Sequence, residues 1–224
     1  MTTPTSPPAT PETARLAHHF DDLEQQRSAN VLGMWLFLVT EVMFFGGIVT
    51  AYIVYRARAP VAFAEASRHL DVVLGSVNTV VLLTSSFTMA LAVDAAHRRR
   101  RQLLTGFLLL TIALGGAFLA IKFTEYYHKY EAGLMPLLGL EFRQTAGSEP
   151  EQLFYGLYFA MTGLHALHMV IGIVALGLMA RLAWRGRFDH GNDTPVELAG
   201  LYWHFVDIVW IFLFPMLYLI DRHS

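Results

Sequence analysis

Tyr202-Trp203-His204-Phe205-Val206-Asp207-Ile208-Val209-Trp210 places an imidazole and a carboxylate three residues apart inside an apolar segment running from about residue 198 to 220. A segment of about 20 such residues crosses a bilayer as a helix. Charging a side chain near the bilayer centre costs at least roughly 2.5 kcal/mol, so groups of this kind face protein rather than lipid. Residues three apart share a helix face. His204 and Asp207 are therefore expected to meet neighbouring helices as structural polar contacts, and replacing Asp207 with Leu is expected to strand the partners of that face.

Three further constellations could carry chemistry. Glu41, in Gly33-Met34-Trp35-Leu36-Phe37-Leu38-Val39-Thr40-Glu41, lies about ten residues into an apolar run, roughly 15 Å from its start at 1.5 Å per residue. Two readings stand for this buried carboxylate: a proton-relay group, or a protonated acid bonded to a neighbouring helix. Asp207 lies at a similar depth in its own segment, so the two carboxyls can share a level without being neighbours. In Thr162-Gly163-Leu164-His165-Ala166-Leu167-His168 two imidazoles stand less than one turn apart. That spacing does not give two histidines far along each of two helices, as a stacked pair of membrane haems requires, so interhelical hydrogen bonding is the preferred reading for both. Glu125 and His128 form one Glu-x-x-His pair. A di-iron carboxylate bundle needs two such pairs, and the surrounding tyrosines point instead to an interfacial belt. No metal site is expected.

The elements that must position these groups follow from hydropathy. The 224-residue chain is 54% hydrophobic and 15% charged, far from the balance of soluble domains. It reads as an all-α integral membrane protein. A formal net charge of −2 gives no support to nucleic-acid binding. The absence of cysteine excludes disulfides, thiolate metal sites, Fe–S clusters and c-type haem attachment within this chain. Residues 1–30 form a segment graded from disordered to interfacial, with a Thr- and Pro-rich start. That segment contains no apolar stretch of signal-peptide type, so the first membrane helix is expected to lead insertion. Residues 31–224 form the membrane domain, with spans at about 31–55, 72–95, 103–121, 153–180 and 198–220.

Five crossings put the termini on opposite sides. Arg98, Arg99, Arg100 and Arg101 crowd a very short turn between the second and third spans, where the positive-inside rule acts most strongly. The N-terminus is therefore placed inside and the C-terminus outside. On this reading Lys122 and Lys129 belong to the longest, external connection. The second span carries Asn78, Thr79, Thr84, Ser85, Ser86 and Thr88, a density of small polar residues suited to helix packing in membranes. Gly115 and Gly116, then Gly156, Ala160 and Gly163, suggest close backbone approach in the next two spans.

Taken together, these motifs resemble the cytochrome c oxidase subunit III family. Leu32-Gly33-Met34 with Thr40-Glu41-Val42-Met43-Phe44-Phe45 is similar to the family's third helix, including its intramembrane glutamate. Asn78-Thr79 and Glu125-Tyr126-Tyr127 resemble its next two helices. Thr162 to His168, then Glu197 with Trp203 to Trp210, resemble its last two. The resemblance covers about residues 30 to 220, with the motifs in family order.

The resemblance implies a non-catalytic core subunit of a haem–copper terminal oxidase in aerobic respiration, packed against subunit I with subunit II in the same complex. The haems and coppers would belong to those partners, with no cofactor bound by this chain and no catalytic site of its own. Structural phospholipid, proton uptake and oxygen access are the roles the family suggests, in a bacterial plasma membrane. Glu41 would be the family's buried carboxylate, and Asn78, Glu125, His165, His168, His204 and Asp207 structural polar contacts. Arg181 falls near the family's lipid-headgroup arginine, out of clean register. The long form of the family has two more helices at its start, so the chain resembles a five-helix form. A quinol oxidase subunit, or the related protein of a nitric oxide reductase system, is the neighbouring alternative. A proton-coupled transporter built on Glu41, Asp207 and the histidines is the alternative from another class.

Overall fold

The computed structural model describes residues 22–131, 134, 148–188 and 193–219. Helices make up most of these residues, joined by short turns. Helix α1 runs Leu23–Arg58, α2 Pro60–Arg68, α3 Val72–His97, α4 Arg101–Glu131, α5 Glu149–Trp184 and α6 Thr194–Phe214, followed by a π-helical turn Pro215–Leu219. Five of these elements, α1, α3, α4, α5 and α6 with its π turn, are long and apolar enough to cross a membrane. The chain is an integral membrane protein. Residues 1–21, including most of the expected N-terminal segment, lie outside the described residues.

Several helix ends are written in the sequence. Asp22 accepts the Gln25 N–H at the start of α1, and Asp71 accepts those of Val73 and Leu74 at the start of α3, each satisfying donors that have no partner inside the helix. α5 closes with Gly186 at φ 74° and a hydrogen bond from the Arg187 N–H to the Leu182 carbonyl, a Schellman ending. The arginine turn closes α3 in the same way, with the Arg100 N–H on the Ala95 carbonyl, but Arg99 takes the left-handed position at φ 56°.

All five spans depart from their expected bounds, α1 and α4 the most, and one short helix, α2, lies outside the expected set. α1 begins about two turns before residue 31. α4 continues past 121 to Glu131, which draws Lys122, Glu125 and Lys129 into the bundle, all three buried. Lys122 and Lys129 are thus not loop charges. The short α2 falls in what reads as a polar connection. It turns Phe63, Ala66 and Ser67 inward against α5 and the π turn, so its apolar face is visible only at helical period.

α6 is the centre of the bundle. It packs on α3, α5 and α1. Contacts along α3 and α6 keep one antiparallel register: Gly200 on Met89 and Val93, Trp203 on Ser85, His204 on Ser86, Trp210 on Thr79 and Phe214 on Gly75. The small polar residues of the second span are therefore packing groups, as their density suggests. Thr84 is the exception and bonds its own helix at the Val80 carbonyl.

Trp203 is fully buried in a slot built by two glycines from different helices. A Cβ at Gly115 of α4 would stand 2.8 Å from its ring, and one at Gly172 of α5 2.9 Å. The indole N–H donates to Ser85 Oγ at 3.0 Å. Gly115 thus does what its position suggests, whereas Gly116, Gly156 and Gly163 adjoin open space.

Candidate functional site

The titratable residues gather in three layers along the bundle. In the middle layer Glu41 of α1 meets His168 of α5, with Oε2 and Nε2 3.1 Å apart. His168 Nδ1 lies 2.9 Å from the Leu164 carbonyl, which can only accept, so Nδ1 carries a hydrogen. Nε2 and a carboxylate oxygen are both acceptors when bare. One proton must therefore lie between them, on the carboxyl or on the ring, and the pair has no net charge in either form.

α1 and α6 run parallel here, with Phe37 against Tyr202 and Phe45 against Phe205. Glu41 is accordingly near the level of His204. The ring contacts bracket Glu41 between the levels of Tyr202 and Phe205, with Asp207 beyond Phe205, and the two carboxyls face different helices. His204 Nδ1 sits 2.7 Å from Ser86 Oγ on α3. Asp207 is buried, and neither of its oxygens finds a hydrogen-bond partner among the described residues; Ser86, the hydroxyl facing it, is engaged by His204.

His165 is also buried with both ring nitrogens unbonded among the described residues. It is walled by Phe118, 5.4 Å away between ring centroids, and Trp210, 5.3 Å away. Among the described residues the hydrogen bonds expected of His165 and Asp207 are not found. Ring contact and close packing stand in their place. Asn78 is buried, reaches the Phe118 carbonyl through Nδ2 at 3.5 Å, and leaves Oδ1 unpaired.

Toward the C-terminal end of α4 the arrangement is complete. Lys122 Nζ donates to Glu125 Oε2 at 2.8 Å, to Tyr218 at 2.8 Å and to Tyr158 at 3.2 Å. Both tyrosine hydroxyls also lie 2.8 Å from Glu125 Oε1. The ammonium stands over Trp210 at 4.9 Å from the ring centroid, close enough for a cation–π contribution. Lys129 lies over Tyr155 and Tyr158. Glu125 therefore belongs with Lys122, while His128 is exposed on α4. Sequence reasoning missed Lys122. The available signal was its three-residue spacing from Glu125 within a Tyr-rich stretch.

The third layer closes the other end. His97 Nε2 lies 2.6 Å from Glu197 Oε1 and 3.3 Å from Asp193 Oδ2, and Arg27 reaches Glu197 at 3.1 Å. These groups tie the start of α1 and the end of α3 to the start of α6. Ligand atoms of His97, Asp193 and Glu197 converge within 4.8 Å, but Arg27 already brings the positive charge a metal ion would supply. An ion-pair cluster accounts for the geometry.

Residues 18–221 match the family described as Cytochrome c oxidase subunit III. The chain belongs to that family. Among its relatives, the cytochrome c oxidase subunit 3 of Synechocystis sp. is 34% identical over 215 residues, covering 94% of this chain and 82% of the relative. That of Thermostichus vulcanus is 30% identical over 203 residues, covering 90% and 92%. A probable quinol oxidase subunit 3 of Staphylococcus aureus is 26% identical over 201 residues, covering 89% and 93%. Membership makes this chain a transmembrane subunit of a respiratory oxidase. For a subunit III, the geometry above offers packing, charge burial and a shared proton.

Arg181 is placed apart from the three layers. With Arg185, Trp184, Thr105 and Leu109 it lines an open groove of about 590 Å³ between the start of α4 and the end of α5. Gly177 and Ala180 complete its wall.

Proposed function

We propose that this chain is a non-catalytic subunit III that packs against the catalytic subunit of a haem–copper oxidase, with the haems and coppers held by its partners. The observation that carries this reading is the occupation of His168. Both of its ring nitrogens are already engaged, one by Leu164 and one by Glu41, so this imidazole has no free lone pair to give, and His165 is walled by the Phe118 and Trp210 rings. Glu125 is likewise fully engaged by Lys122, Tyr158 and Tyr218. The intramembrane acids and imidazoles serve cohesion between helices, and Glu41 with His168 is a pair able to hold a proton at mid-depth.

The chain sits in the bacterial plasma membrane with its N-terminus inside. Support comes from the four arginines of the α3–α4 turn and from the burial of Lys122 and Lys129, which removes two cations from the outer side of the tally. At the inner face, Arg181 and Arg185 would hold a phospholipid phosphate while the groove beside Leu109 takes an acyl chain. An exposed Trp184 suits the headgroup region. Cytochrome c is the preferred donor, because the higher identities are to cytochrome c oxidase subunits; the quinol oxidase relatives keep a quinol donor as the second reading.

Purification of the complex in mild detergent tests the proposal. The chain should come with haem- and copper-bearing subunits, and the complex should oxidise reduced cytochrome c faster than a quinol. Recovery of a stable chain alone, with no oxidase subunit, would overturn it.

A further inference from the structure

α6 is held on three sides and open on the fourth. Trp203, Trp210 and Phe214 turn into the bundle, the Tyr202 hydroxyl reaches the His168 carbonyl of α5, and Phe205 meets Phe45 of α1. The remaining face carries Ile208, Ile211 and Phe212, all exposed, and looks out between α1 and α3. Those two helices flank α6 without packing substantially on each other. Exposed Leu83 and Phe87 of α3 continue the apolar surface on either side of Ser86. The result is a groove floored by α6 and flanked by α1 and α3.

Acyl chains alone could cover an apolar groove. His204 asks for more. It is half-buried on the same open side, and beyond the Nδ1 contact with Ser86 its Nε2 has no hydrogen-bond partner among the described residues. The residue lies near the middle of the span Thr194–Leu219, where neither water nor hydrocarbon can satisfy a polar atom. Threonines on the outer surface avoid this difficulty by bonding carbonyls of their own helices: Thr40 to Phe37, Thr50 to Gly46 and Thr124 to Ala120. No such carbonyl meets Nε2 of His204.

We infer that the groove over α6 seats a transmembrane helix of the partner subunit, and that this helix brings a hydrogen-bonding side chain to His204 Nε2 at mid-bilayer depth. The inference rests on the reading of the chain as an oxidase subunit and assigns the face through which it docks. An apolar helix with one hydroxyl, amide or phenol at the level of His204 fits both the groove wall and the open nitrogen. That single polar contact would also set the register of the incoming helix, since sliding it by one turn leaves two unpaired groups.

The chain contains no cysteine, so each introduced cysteine is the single labelling site in this chain, and the purified complex carrying the cysteine-free chain, treated with the same label, gives the background to subtract. Labels at Ile208→Cys and Phe212→Cys should collide with dissolved oxygen severalfold less often than labels at Val174→Cys and Leu178→Cys on the outer face of α5. His204→Leu should release the chain from the complex roughly threefold faster, the size of an average interhelical hydrogen bond in membranes, with His204→Gln closer to wild type. Equal collision rates at groove and α5 positions in a haem-bearing complex would mean lipid covers the groove and would overturn the inference alone. A disulfide between two copies of this chain through Phe212→Cys would overturn it in favour of self-association. Shielded groove labels in a complex without haem would retain the docking face and remove the oxidase reading instead.

Discussion

At one end of the bundle Lys122 directs its three ammonium hydrogens to Glu125, Tyr158 and Tyr218, and Glu125 in turn receives both tyrosines. Two turns and more away, Asp207 offers two oxygens that no donor meets, and His165 rests between aromatic rings with both nitrogens unbonded. The first region is closed: Lys122, Glu125, Tyr158 and Tyr218 all bond one another, and the network ties α4, α5 and the π turn together. The second is open, with Glu41–His168 and His204–Ser86 as isolated pairs among unpaired neighbours. Burial by itself does not dictate saturation. The Lys122 ammonium is completed by hydrogen bonds, whereas the Lys129 ammonium and the His165 imidazole are held by ring contacts.

The sharpest way to break this contrast is at Glu125. Glu125→Ala leaves the Lys122 ammonium buried without its counter-charge, and the loss should be about 3 to 5 kcal/mol, read as a large fall in the thermal midpoint or yield of the purified complex. Combining Lys122→Met with Glu125→Leu should recover most of it, because removing both partners leaves no stranded charge. A silent Glu125→Ala would show that the closed network is not holding the helices.

Between the two regions stands Trp203. Gly172→Val pushes a side chain into the indole, whose ring lies 2.9 Å from where a Cβ would start, and should cost about 1 to 3 kcal/mol. Thermal denaturation of this variant, with Gly177→Val in open space as the control, measures the tightness of the slot.

In the open region the effects should be smaller. Asp207→Leu is now expected to change stability by less than about 1 kcal/mol, because replacing an unbonded polar group by an apolar one of similar size strands no partner. This reverses the expectation from sequence, where a polar face implied bonded neighbours. Smallest of all should be Glu41→Gln. The amide nitrogen can donate to His168 Nε2 as the acid does, so assembly and stability should shift by no more than about 0.5 kcal/mol, within the range of an average interhelical hydrogen bond in membranes. Outright loss of assembly in Glu41→Gln would make an ionic pair with His168 the better description.

Much of the architecture was legible. Five apolar runs became five membrane-length helices, and of the small polar residues of the second run Thr79, Ser85 and Ser86 became the α3 side of the α6 zipper while Asn78 and Thr88 bond α4. The depth of Glu41 followed from helical rise alone. What escaped were the things that depend on rotation and on distant neighbours. Lys122 read as a loop cation because the apolar run ends at 121, yet the helix continues and its tyrosine partners come from positions 158 and 218. The link from Arg27 to Glu197 joins residues 170 apart, and His97 gave no local hint that it would meet them. α2 is too short and too polar to stand out in a hydropathy profile.

Taken alone, the residues determined that this chain enters a membrane, how many times it crosses, which acids and imidazoles it carries to what depth, and which family it resembles. Those properties are sums or distances along one helix, and a single dimension suffices for them. Only the packed bundle decided which of those groups would be answered: His168 by Glu41, His204 by Ser86, Glu125 by Lys122, and Asp207 by no one among the described residues. Lateral order and helix rotation settle such pairings, and both are fixed by the fit of large rings such as Trp203 into slots whose two walls lie far apart in the chain.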